Sequence, residues 1–126
     1  MELLSFDHLV LTTSDLKKCL EFYEGILGME TVYHDGRYSL YFGMQKINIH
    51  TRPAEFLPAA AYPVSGSLDL CIRVEGSIED AKKELLARGV KLEQGAVLRH
   101  GAIGTMKSLY IRDPDGNLIE LGFYQE

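Results

Sequence analysis

With 126 residues, the chain has room for one domain with its own core, and several large domains are excluded. Its 46% hydrophobic and 25% charged composition is that of an ordinary globular protein. A net charge of -5, with no basic cluster longer than Lys17-Lys18 or Lys82-Lys83, argues against nucleic acid as a partner. No apolar run is long enough to span a bilayer, and Met1-Glu2-Leu3 lacks the positive start of a signal peptide, so the expectation is a cytoplasmic protein without a membrane partner.

In chain order, Phe6 to Thr12 reads as a strand and Thr13-Ser14-Asp15 offers an N-cap. Leu16, Leu20, Tyr23 and Leu27 recur at helical spacing, and Gly28 stands at the C′ position. Met29 to His34 is a predicted strand, Asp35-Gly36 a hairpin turn, and Tyr38 to Phe42 and Lys46 to Thr51 two further strands. The stretch 53–66, with Pro53, Pro58, Pro63 and an Ala59-Ala60-Ala61 run, reads as a connector. After it the pattern repeats. Leu68 to Val74 is a strand, Ser77 to Asp80 a capping-box-like helix start, and Gly89 the helix end. Val90 to Glu93, Leu109 to Arg112 and Leu118 to Phe123 are the last strands, and Gly95 to Gly104 reads as a flexible loop that overhangs a pocket. Cys19 and Cys71 lack Cys-x-x-Cys spacing and are expected as buried free thiols.

The predicted architecture is therefore α+β: strand, helix and three strands, written twice, in modules of about 1–52 and 67–126. The halves share a phrase, Ser39-Leu40-Tyr41-Phe42 and Ser108-Leu109-Tyr110-Ile111. Asp113-Pro114-Asp115-Gly116-Asn117 is dense turn chemistry, followed by an apolar strand that carries one carboxylate, Glu120. A charge among aliphatic residues needs a partner. The first and last strands of the halves hold His8, His50, Asp69 and Glu120, four metal-capable side chains on equivalent strands. Two imidazoles and two carboxylates suit Ni, Zn, Mn, Co or Fe as a divalent ion. Arg37, Tyr38, Arg99, His100 and Tyr110 are weaker candidates for the wall of a substrate pocket.

Together these residues resemble the vicinal oxygen chelate superfamily of glyoxalase I, extradiol dioxygenases and bleomycin-binding proteins, in particular its small glyoxalase-domain members. The resemblance runs through Phe6-Asp7-His8-Leu9-Val10-Leu11, Ser14-Asp15-Leu16 to Leu27-Gly28-Met29, and Asp113 to Leu121. It implies paired βαβββ modules forming an eight-stranded, U-shaped sheet around a metal and substrate cleft, in a homodimer. His8 matches the family's first metal ligand and Glu120 its last. Asp69 stands where His is usual, and His50 where Glu is frequent.

The resemblance implies a metal-dependent lyase or isomerase of the glyoxalase type. A small molecule would be chelated through adjacent oxygens, and Glu120 would move the proton as general base. Two alternatives stand beside it. One is an Fe(II) dioxygenase of the extradiol type, with His8, His50 and Glu120 as facial triad. The other is a metal-free small-molecule-binding protein of the bleomycin-resistance kind.

Overall fold

The computed structural model describes residues 1–125, which fall into two compact units, Met1–Ser67 and a second beginning at Leu68. In the first, β1 (His8–Thr12) leads into α1 (Leu16–Leu20), which continues as a π-helical segment, Glu21–Ile26. β2 (Glu30–His34), β3 (Arg37–Phe42) and β4 (Gln45–His50) follow, and the sheet order is β1-β4-β3-β2, with β1 parallel to β4 and the other pairs antiparallel. Asp15 caps α1 by accepting from the Lys18 amide at 3.1 Å, which satisfies one of the orphan donors of the first turn. Asp35 and Gly36 both take positive φ, the requirement of a tight two-residue hairpin. Alternation does the rest: Leu11, Leu40, Ile47 and Ile49 are buried on one sheet face, and α1 with its extension buries Cys19, Phe22 and Tyr23. The opposite face carries His8, Val10, Lys46 and Asn48, all more accessible.

The second unit repeats the plan. β5 (Asp69–Arg73), α2 (Ile78–Ala87), β6 (Gln94–Gly101), β7 (Gly104–Arg112) and β8 (Leu118–Tyr124) give a sheet of order β5-β8-β7-β6, again with only the first pair parallel. Ser77 caps α2 through the Asp80 amide, and Leu85 is the buried anchor of that helix. Met106, Leu109, Ile111, Ile119, Leu121 and Phe123 are buried apolar strand residues. Among the described residues the strands thus form two open four-stranded sheets, each built by a βαβββ module.

The Asp113–Asn117 turn is a structural clamp. Asp113, 5% exposed, accepts through Oδ1 from the amides of Asp115 and Asn117, both at 2.9 Å, and through Oδ2 from Asn117 Nδ2 at 2.7 Å. Gly116 holds a φ of +89°, open to glycine at no steric cost. Asn117 Oδ1 then accepts from the Leu68 amide at 2.9 Å, and the Leu118 amide donates to Leu68 O at 3.0 Å. The turn therefore ties the start of β8 to the start of β5 and fixes their register.

Three expectations need correction. Gly95 to Gly104 is a hairpin rather than a flexible loop, and Val90 to Glu93 forms no strand: the pairing segment is β6. The bulge at Gly95-Ala96 breaks the period-2 pattern there, which hides the strand in the sequence. Cys71 is exposed, whereas Cys19 is buried as expected. The connector, for its part, is pinned to the first unit. Glu55 accepts from the Thr51 amide and hydroxyl, both at 2.8 Å, and from Arg52 at 3.1 Å, folding Phe56 back onto the first sheet beside His50. Among the described residues no helix is long and apolar enough to cross a membrane.

Candidate functional site

Strand register decides which donors can act together. In the first unit His8 lies level with Lys46, Val10 with Asn48, and Thr12 with His50. His8 and His50 therefore share a sheet face but stand four residues apart along it, about 13 Å at the usual strand rise. The structure does not bring them together. In the second unit Asp69 lies level with Leu118, and it is Cys71 that faces Glu120 across the parallel pair. Among the described residues no group of three or more His, Cys, Asp or Glu side chains is arranged to hold a metal ion.

His8 and Glu120 are each held by a neighbour. His8 Nδ1 is 2.7 Å from Asp7 Oδ1, which leaves Nε2 as its outward nitrogen; that bond is the main cause lowering the Asp7 carboxyl below its ordinary value. Glu120 accepts from the Ser108 hydroxyl at 2.6 Å. Both arrangements are those by which an outer partner fixes the orientation of a metal ligand. Each residue, taken by itself, is a chemically competent donor to a divalent ion.

Around Glu120 a cavity of about 480 Å³ is lined by Cys71, Arg73, Arg99, Met106 and Tyr124. Partial burial, and then the charge and hydrogen bond of Glu120, push the Cys71 thiol up to about 11, so it keeps its proton at neutral pH. Gly122 packs against two of these lining residues: a Cβ there would lie 2.6 Å from Met106 Sδ and 3.2 Å from Cys71 Sγ. Arg99 donates through Nε to the Tyr110 hydroxyl at 2.9 Å, and Arg73 lies over the Tyr124 ring at 5.0 Å. Arg99 and His100 line this cavity, and Tyr110 orients Arg99. Arg37 and Tyr38 line a second cavity, of about 310 Å³, in the first unit, together with Lys46, Asn48, His50 and Phe56.

Cys71, Lys46, Ser108 and Phe56 were not among the site candidates read from the sequence. Alternation puts both Asp69 and Cys71 on the face of β5 that corresponds to the His8 face of β1, so Cys71 was as available a candidate as Asp69. The shared Ser-Leu-Tyr phrase agrees, because Tyr41 pairs with Lys46 and Tyr110 with Glu120. Counting through the turns obscured this, since the β7–β8 turn is longer than the β3–β4 turn.

Residues 5–121 match the family described as the Glyoxalase/Bleomycin resistance protein/Dioxygenase superfamily, and the chain belongs to it. Over 123 residues it is 49% identical to the glyoxalase domain-containing protein RDO1 of Mycosarcoma maydis, covering 97% of this chain and 69% of that one. Over 119 residues it is 48% identical to virulence protein STM3117 of Salmonella typhimurium (strain LT2), covering 94% and 83%. The crystal structure of virulence protein STM3117 matches with a TM-score of 0.96 at 46% identity, covering 99% of this chain and 100% of that one. The crystal structure of a lactoylglutathione lyase from Agrobacterium tumefaciens shares the fold, with a TM-score of 0.73 at 23% identity over 94% of this chain and 92% of that one.

Proposed function

We propose that the protein is a homodimeric, metal-dependent enzyme of the glyoxalase type, a lyase or isomerase that acts on a small molecule carrying adjacent oxygens. In this reading it works in the cytoplasm, where Cys19 and Cys71 remain free thiols. The observation that carries the proposal is the state of the two residues matching the family's outermost ligands: His8 is held through Nδ1 by Asp7, and Glu120 through Ser108. His8 supplies an imidazole nitrogen and Glu120 a carboxylate oxygen, with the Cys71 sulfur, level with Glu120, in the role first expected of Asp69. A divalent ion bound there would act as a Lewis acid on a substrate oxygen.

The remaining work falls to the chain's own groups. Glu120 takes and returns a proton at the substrate carbon; Ser108 keeps the carboxylate aimed. Arg99, oriented by Tyr110, sets the charge of the cavity wall, and Met106 with Tyr124 provides its apolar floor. The oxygenase alternative needs His8 and His50 on one ion, and the separation of their rungs favours the non-oxidative reading.

Addition of Ni, Zn, Mn or Fe(II) is expected to raise the melting temperature of metal-stripped protein, since a ligand that binds only the folded state stabilises it. His8→Ala should abolish the rise; an identical response in both proteins sinks the metal reading. Consumption of the methylglyoxal–glutathione hemithioacetal, against oxygen uptake with catechols, then separates isomerase from oxygenase.

A further inference from the structure

The cavity of the first unit has a chemistry of its own. Its lining includes Arg37, Lys46, His34 and His50, and contains no Asp or Glu. Arg37 and Lys46 form no ion pair among the described residues. Glu55, whose charge reaches His50, is already engaged by Thr51 and Arg52. The Arg37 guanidinium lies 4.1 Å above the centre of the Phe56 ring, and the His50 ring meets the same ring edge-on at 5.2 Å. His50 is only 7% exposed, yet its Nδ1 is buried without a hydrogen-bond partner. A buried polar atom left unpaired is costly and rare, and at the wall of a cavity it points to a missing partner.

We infer that this cavity binds a small organic carboxylate with an apolar body: Arg37 holds the anion with Lys46 adding its charge, Phe56 and Val32 contact the body, and His50 Nδ1 meets a polar atom of the ligand. Two cations in a wall that holds no carboxylate, with Asp7 outside it feeling the charge of Lys46, select a negative ligand. The planar guanidinium, already set against Phe56, suits the two oxygens of a carboxylate. A bare inorganic anion would leave Phe56 and Val32 unmatched. A volume of about 310 Å³ lies at the small end of ligand pockets. Neither Arg37, Lys46 nor Phe56 takes part in the metal reading, so this site stands or falls separately from it.

The test uses metal-stripped protein and three probes: benzoate, the neutral benzamide of the same shape, and sulfate. Binding is read from the melting temperature and from the imidazole resonances of the four histidines. Benzoate is expected to stabilise the wild type and to shift the His50 resonances, with benzamide and sulfate far weaker. Loss of a charge-assisted bond in Arg37→Gln should weaken benzoate binding by about tenfold or more, and Lys46→Gln by less. Equal binding of benzoate and benzamide, unchanged affinity in Arg37→Gln, or no benzoate binding to the wild type would each overturn the proposal. The metal response, scored with His8→Ala, is measured apart and can fail or hold independently.

Discussion

Cys71 and Glu120 show how much depends on one rung of a sheet. Asp69 and Cys71 lie on the same face of β5, two residues apart, and only Cys71 is level with Glu120. Matching the first strands of the two halves selects Asp69; the register favours sulfur. The consequence is spectroscopic. Protein loaded with Co(II) should show a thiolate-to-metal charge-transfer band in the near ultraviolet, lost in Cys71→Ser and kept in Asp69→Asn. A wild-type spectrum without that band would remove Cys71 from the ligand set. Of the candidate residues, His8 and Glu120 each sit in a distinctive local phrase, and Arg37, Tyr38, Arg99 and His100 line cavities. Ser108, Lys46 and Phe56 were not legible, because what gives them a role is pairing across strands or a folded-back connector, which no local pattern states.

Among the elements, the β7–β8 turn matters most. Asn117, 1% exposed, uses its backbone amide and both ends of its side chain: Asp113 on one side, the Leu68 amide on the other. Replacing it with Ala leaves Asp113 and the Leu68 amide short of partners in a buried place, at a cost of about 1–3 kcal/mol each way such a group is stranded. Chemical denaturation of Asn117→Ala should show a loss of that order, with Gly116→Ala milder; stability equal to wild type would mean the turn is not the clamp described. The turn, the strands and both helix caps were readable from residue type, because Asp, Asn, Gly and Ser act locally. The β6 strand was not: its bulge at Gly95-Ala96 and its glycines at Gly101 and Gly104 look like a loop to any pattern of period two. Gly101 is there for contact, since a Cβ would run into the Tyr124 hydroxyl.

For the molecule as a whole, the duplication is the organising fact. Two βαβββ modules with the same strand order place His8 and Lys46 on one rung and Cys71 and Glu120 on the corresponding rung of the other. The modules have diverged in charge. The first cavity is cationic without a carboxylate, and the second mixes arginines with Glu120. Diffraction from crystals of Zn- or Ni-loaded protein, collected at the metal's absorption edge, tests the account most directly. An anomalous peak within about 2.0–2.3 Å of both a His8 nitrogen and a Glu120 oxygen is the predicted result; full metal loading with the peak at neither residue would contradict it.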